Sequence, residues 1–78
     1  RHMRNHIIVV GLGSFGSRVI SDLTAAGRDV AVIELDENNR YLAAAAELDV
    51  PVIFGDATLR QTLEYAGIEK ARAVAVLT

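Results

Sequence analysis

The stretch that most constrains the fold is Gly11-Leu12-Gly13-Ser14-Phe15-Gly16, placed directly behind the apolar run Ile7-Ile8-Val9-Val10. An uninterrupted β-branched run that breaks on glycines and continues with helical spacing predicts a strand, a tight turn and a helix. Each glycine then has its own task. Gly11 admits the turn, Gly13 lets the backbone approach a pyrophosphate with no Cβ in the way, and Gly16 lets the helix lie close to the strand. The start of the helix would aim free N–H groups and the positive end of its dipole at phosphate oxygens. A strand, glycine turn and helix without a ligand is the bland alternative, to be judged against the residues downstream.

The first helix is predicted from Ser14 to Ala26, with Phe15, Val19, Ile20 and Leu23 on the sheet side and Gly27 as its stop. Phe15 could stack on a base, but its place one turn into the helix reads as core. Asp29 to Leu35 forms a second strand, apolar at consecutive positions and so buried on both faces, as in a parallel sheet covered by helices. Glu34 interrupts it near its end, 18 residues past Gly16, where a carboxylate can accept hydrogen bonds from a ribose hydroxyl. The plainer role for Glu34 is a solvated charge. Asp36 is read first as the N-cap of a second helix reaching Leu48, with ribose contact secondary. Leu42, Ala45, Ala46 and Leu48 form its inward stripe, and Tyr41 is half exposed.

Pro51 to Phe54 is a third strand, with proline at its entry. Gly55-Asp56-Ala57 follows at a C-terminal strand end, where Asp56 either faces the same crevice as Glu34 or only organises the turn. Thr58 and Gln61 have the spacing of a capping box, opening a third helix that turns Leu59, Leu63 and Ala66 inward and stops at Gly67. Ala73 to Thr78 is a fourth, wholly apolar strand. Right-handed crossovers then give a Rossmann-like α/β fold, a parallel sheet of order 3-2-1-4 with two helices on one face and the third on the other. The second face and the edge beyond strand four are left largely uncovered, which invites pairing with another chain.

Composition removes several classes. With 78 residues, 51% of them hydrophobic, the chain is one domain or part of one. It has no cysteine, so neither disulfides nor thiolate chemistry. The formal net charge is −2 and the basic residues Arg18, Arg28, Arg40, Arg60, Lys70 and Arg72 are scattered, so no patch suits nucleic acid. No apolar run approaches the roughly 20 residues of a membrane span and no signal peptide precedes the first strand, so a cytoplasmic domain with no membrane insertion is expected. Arg1-His2-Met3 reads as the remnant of an expression tag ahead of a start methionine. The domain proper is residues 4–78, expected to be the front part of a longer domain, truncated after the fourth strand.

Taken together, Ile8-Val9-Val10-Gly11-Leu12-Gly13-Ser14-Phe15-Gly16, Val32-Ile33-Glu34-Leu35-Asp36, Gly55-Asp56-Ala57 and Leu63-Glu64-Tyr65-Ala66-Gly67-Ile68 run in an order that resembles the RCK, KTN or TrkA-N domains. These are nucleotide-binding regulatory domains of potassium channels and transporters. The resemblance extends from His6 to Thr78. It implies a cytoplasmic sensor that binds NAD, NADH, ATP, ADP or AMP, associates as a dimer or larger homo-oligomer, and reports occupancy to a potassium channel or transporter membrane subunit. By match, Gly11, Gly13 and Gly16, with Ser14 and Phe15 between them, would meet the phosphates. Glu34 would take the adenosine ribose with Asp36 beside it, Gly55, Asp56 and Ala57 the adenine end, and Thr78 the phosphate or nicotinamide side. Members of the family often carry arginine where this chain has Ser14 or Ser17, which argues against a tightly held triphosphate.

Glu34, Asp36 and Glu37 together make a ribose 2′-phosphate electrostatically unwelcome, so NADP is disfavoured. The competing classes are the cofactor half of an NAD-dependent oxidoreductase and a degenerate module that only contacts proteins. Hydride transfer needs an acid or base against the substrate. His6 opens strand one at the wrong end of the sheet, Lys70 precedes strand four, and Tyr41 and Tyr65 sit on helices, so a non-enzymatic domain is expected.

Overall fold

The computed structural model describes residues 3–78; Arg1 and His2, and with them most of the tag reading, lie outside the described residues. The elements alternate as β1 (Ile7–Val10), α1 (Ser14–Ala25), β2 (Val30–Glu34), α2 (Leu42–Glu47), β3 (Val52–Phe54), α3 (Arg60–Tyr65), a 3-10 turn (Ile68–Lys70) and β4 (Ala73–Val76). The four strands form one parallel sheet of order β3-β2-β1-β4, as the crossover rule requires. Ile7 pairs with both Val30 and Ala73, and Val10 with both Ile33 and Val76, so β2, β1 and β4 run level along one edge.

Alternation along β1 and β2 divides the core between the two faces of the sheet. Val9, Val30 and Val32 meet Leu12, Ile20 of α1 and Ala45 of α2, with Val19, Leu23, Leu42 and Leu48 packed around them. Ile8 and Ile33 turn to the other face, against Ala66, Leu63 and Ile68. Ile8, Val9, Ile20, Val32 and Ile33 are all no more than 1% exposed. Fully burying each such side chain contributes about 1.5–3 kcal/mol.

Several local expectations are corrected. Phe15 is 66% exposed and not core. The inward position of the first turn belongs to Gly16, in line with the buried Ile20, and a neighbour on a helix is rotated by about 100°. Asp36 does not cap α2, which starts at Leu42; its Oδ1 accepts the Asn38 N–H at 2.9 Å in a side-chain turn. The run Asp36, Asn38, Asn39 favours such turns over helix. Thr58 and Gln61 form no capping box either. Helix α3 begins at Arg60 with no side-chain cap, and the Thr58 hydroxyl donates to Asp56 Oδ1 at 2.7 Å. Leu59, ahead of that later start, is 51% exposed. In α2 the inward alanine is Ala45, and Ala46 is exposed. Strand β4 closes at Val76, short of Thr78, and has β1 as its one neighbour, which leaves Val74 and Val76 exposed.

At the N-terminal end of the sheet His6 is completely buried. Its Nε2 lies 2.7 Å from the Ala66 carbonyl oxygen, which can only accept, so Nε2 carries the proton and donates. Nδ1 is buried without a protein partner among the described residues. This pin joins the start of β1 to the end of α3, where Gly67 turns with φ +77° against the imidazole.

Candidate functional site

The three glycines of the turn perform three different tasks. Gly11 has φ +100°, donates its N–H to the Ile33 carbonyl at 3.0 Å, and would drive a Cβ into the Thr78 methyl group. Gly16 is buried, and a Cβ there would strike the Gly11 carbonyl oxygen, so its bare Cα sets how closely α1 approaches β1. Gly13 is extended, with φ −104° and ψ −161°, and a Cβ there would meet nothing within 4 Å. Its open side is room of the kind a phosphate needs. The Ser17 N–H donates to the Gly13 carbonyl at 2.9 Å, which leaves the N–H groups of Ser14, Phe15 and Gly16 ahead of the helical ladder, and Gly13 has no side chain to cap them. Ser14 is exposed beside them, its carbonyl accepting the Ser17 hydroxyl at 2.9 Å.

Glu34 stands next to this turn at the end of β2, half-buried. Its Oε1 accepts the Leu12 N–H at 2.8 Å and its Oε2 the Asp36 N–H at 3.0 Å. Burial alone would raise the pKa of this carboxyl; the Asp36 and Leu12 N–H groups and the Asn39 amide outweigh it and hold the pKa below its ordinary value. Glu34 is therefore an ionised acceptor whose oxygens keep lone pairs for further donors. Asn39 has no counterpart among the residues expected from sequence. Its Nδ2 donates to the Leu12 carbonyl at 2.7 Å while its Oδ1 accepts the Tyr41 N–H at 2.7 Å. No spacing signal distinguishes it from its neighbour Asn38, because the contact depends on how the β2–α2 loop folds back on the turn.

Beyond Glu34 the row continues into β3. The Gly55 N–H donates to the Glu34 carbonyl at 3.0 Å. Asp56 Oδ1 accepts both the Thr58 hydroxyl and the Thr58 N–H, at 2.7 and 2.9 Å, and these two bonds, the hydroxyl first, lower its pKa against a smaller effect of burial. Of its two possible roles, organising the β3–α3 turn is the one visible in these bonds. Ala57 packs against the Ile8 and Ile33 side of the core. Thr78 lies against Gly11, held there by the Leu77 N–H donating to the Val10 carbonyl at 2.9 Å.

The candidate residues thus fall along the C-terminal strand ends in sheet order: Thr78, Gly11 to Gly16, Glu34, then Gly55 to Ala57. Ligands of open parallel sheets bind along that edge. Phe15 and Asp36 stand exposed at its rim. A wide concavity opens at the opposite end, around Arg28, Asp29, Val50, Pro51, Tyr65 and Gly67, and takes in none of these residues. No cluster of three or more histidine or acidic side chains suited to a metal occurs among the described residues.

The comparisons with known proteins converge with this geometry. Residues 7–78 match the model of the TrkA-N domain. A Trk system potassium uptake protein TrkA homolog of Pyrococcus abyssi is 40% identical over 73 residues, covering 94% of this chain and 32% of that protein. The chloroplastic K(+) efflux antiporter 2 of Arabidopsis thaliana is 35% identical over 74 residues, 95% of this chain and 6% of the antiporter. A glutathione-regulated potassium-efflux system protein of Haemophilus influenzae is 36% identical over 72 residues, 92% of this chain and 11% of its own length. The chain therefore spans a third or less of these relatives. Among solved structures, the TrkA-N domain of the inner membrane protein ybaL from Escherichia coli superimposes with a TM-score of 0.82 at 26% identity, over 95% of this chain and 53% of that one. With the glycine turn, the β2 acid and the 3-2-1-4 sheet all in place, the chain belongs to the TrkA-N domain family.

Proposed function

We propose that this domain is a regulatory nucleotide sensor of a potassium transport system, binding NAD(H) or an adenine nucleotide across the C-terminal strand ends. The observation that carries the proposal is the pairing of open backbone space at Gly13, at the uncapped start of α1, with an ionised Glu34 carboxylate hydrogen-bonded to the same turn. Phosphates suit the first and a ribose diol suits the second. Glu34, Asp36 and Glu37 set a 2′-phosphate among acids, which disfavours NADP.

The domain acts as a sensor and not as an enzyme. His6 and Lys70 lie toward the N-terminal strand ends, and Tyr41 packs into the core beside α2, with the Arg40 guanidinium 5.6 Å from its ring centre. The names of the relatives support potassium uptake or efflux as the regulated process; on this reading the partner is a membrane-embedded channel or transporter subunit and the domain works on its cytoplasmic side. Residues 4–78 form the nucleotide-binding front of that regulatory unit, which works as a homo-oligomer. Binding along the strand ends would shift the population of two domain arrangements by its difference in affinity for them. A monodisperse monomer by light scattering at high concentration overturns the oligomer.

The test is thermal unfolding with NAD, NADH, NADP, ATP, ADP and AMP at matched ionic strength. Ligand at a hundred times its Kd adds about 2.7 kcal/mol, a shift of roughly 10 to 20 °C for a chain this size. A shift with NAD(H) or an adenine nucleotide and not with NADP is expected. Equal shifts with NADP would remove the specificity assigned to Glu34, and no shift with any of the six would overturn nucleotide binding by this chain.

A further inference from the structure

Leu12 sits in the middle of the glycine turn, and both of its main-chain polar groups are held by side chains from across the crevice. Its N–H donates to Glu34 Oε1 at 2.8 Å and its carbonyl accepts from Asn39 Nδ2 at 2.7 Å. The leucine side chain is 1% exposed within the core, so the residue is anchored on a third side as well. Asn39 is itself fixed by accepting the Tyr41 N–H at the start of α2. A carbonyl only accepts and an N–H only donates, so the two partners dictate which end of the amide faces the turn. The bond from Asn39 reaches over 27 residues of sequence and ties the β2–α2 loop to the glycine turn.

We propose that Asn39 is a positioning residue of the nucleotide site. By holding the Leu12 peptide it sets the direction of the N–H groups that follow Gly13 and joins the phosphate-facing turn to the ribose-facing carboxylate as one unit. This rests on the nucleotide function proposed above. Donors aimed at a ligand are effective when their direction is fixed before the ligand arrives, because binding then spends little free energy on ordering them. Glu34 restrains the Leu12 peptide at its nitrogen and Asn39 at the carbonyl of the same residue. Removing Asn39 frees one end of that restraint and takes one partner from the Glu34 carboxylate, which is still held by the Leu12 and Asp36 N–H groups, while every group that would touch the ligand remains in the chain. Its effect must therefore appear in ligands that use the phosphate-facing turn more than in those that do not.

The experiment compares the chain with Asn39→Ala, which removes the bonds to Leu12 and Tyr41 and the contact with Glu34, and Asn39→Asp, which keeps an acceptor for the Tyr41 N–H and loses the amide donor to Leu12 and Glu34. Affinities for ADP and for adenosine are measured by calorimetry at low and raised salt, together with the unliganded Tm and hydrogen exchange of the Leu12 and Gly13 amides. Both variants should weaken ADP about threefold to tenfold and adenosine less than twofold, and should speed exchange at Leu12. Asn39→Asp should keep a Tm near that of the parent chain, and its ADP loss should persist at raised salt, where repulsion by the new carboxylate is screened. Unchanged ADP affinity in both variants overturns the role of Asn39 and leaves nucleotide binding standing. Equal losses for ADP and adenosine that follow Tm assign Asn39 to general stability and also overturn it. If the parent chain binds neither ligand, the nucleotide function and this proposal fall together.

Discussion

Gly13 and Gly16 are three residues apart in one motif, and the structure predicts opposite consequences for the same substitution. At Gly16 an added Cβ meets the Gly11 carbonyl oxygen, a backbone atom that cannot rotate aside, so α1 must move away from β1. Overpacking of this kind costs about 1–3 kcal/mol, and at a backbone contact the upper part of that range applies, offset by up to ~1 kcal/mol of helix propensity gained with alanine. The net loss for Gly16→Ala is about 1–2 kcal/mol. For a 78-residue chain each kcal/mol moves Tm by roughly 4 to 8 °C, so a fall of about 4 to 16 °C is expected. At Gly13 the Cβ enters empty space with an extended backbone open to any residue. Alanine at an N-cap is poorer than glycine by several tenths of a kcal/mol, and stiffening the unfolded chain returns about 0.4–1 kcal/mol. Gly13→Ala should thus leave Tm within about 4 °C while the methyl group occupies the space assigned to phosphate. Paired melts with and without ADP read both effects: Gly16→Ala lowers the unliganded Tm, and Gly13→Ala abolishes the ADP-induced shift at an unchanged baseline. A Gly13→Ala variant that still gains the full shift would refute the assignment of that space, whatever Gly16→Ala does.

Glu34 and Asp56 both have pKa values held below their ordinary 4.5 and 3.8, so their contributions are present above those values and are lost as pH falls through the lower folded-state ones. Unfolding midpoints followed from pH 7 to pH 3 should drop at the acid end, and less steeply for Glu34→Gln; parallel curves would remove Glu34 from the acid response. His6→Ala removes a fully buried ring and leaves the Ala66 carbonyl without its donor, a loss of about 2–4 kcal/mol, whereas nucleotide affinity of the folded chain should be unchanged because His6 lies at the far end of β1. Circular dichroism melts and titration of the same samples check both halves. Gln61→Ala should change stability by less than about 0.5 kcal/mol, since no side chain caps α3. A loss above 1 kcal/mol in a denaturant titration would restore the capping box.

The order of the sheet and the row of candidate residues were legible because they depend on long-range regularities: continuous apolar strands, glycines at fixed intervals, and an acid at a strand end. What escaped depended on rotation or on tertiary closure. Phe15 and Gly16 compete for one inward position on the first turn, and periodicity alone favours the larger apolar residue, while the close approach of β1 selects the residue without a Cβ. Asp36 carries a strong helix-start signal, yet the two asparagines after it satisfy the chain in turns and postpone α2 to Leu42. Thr58 likewise gives its hydroxyl proton to Asp56 two residues before it, a choice invisible to a spacing rule. Asn39 was missed because its partner, Leu12, is remote in sequence and offers a main-chain carbonyl, which leaves no mark on residue type.

The level register of the sheet also dictates an order of events during synthesis. Strand β1 leaves the ribosome first but occupies the middle of the sheet, with both of its hydrogen-bonding edges bare. One edge can be satisfied once residues 30–33 emerge; the other waits for residues 73–76, because Ile7 pairs with Ala73. Closing that span carries the loop entropy of non-local pairing and slows folding. The nascent domain thus spends most of its translation as an apolar half-sheet with an unfilled slot, and holding that slot clear of neighbouring chains becomes a requirement for its yield in the cell.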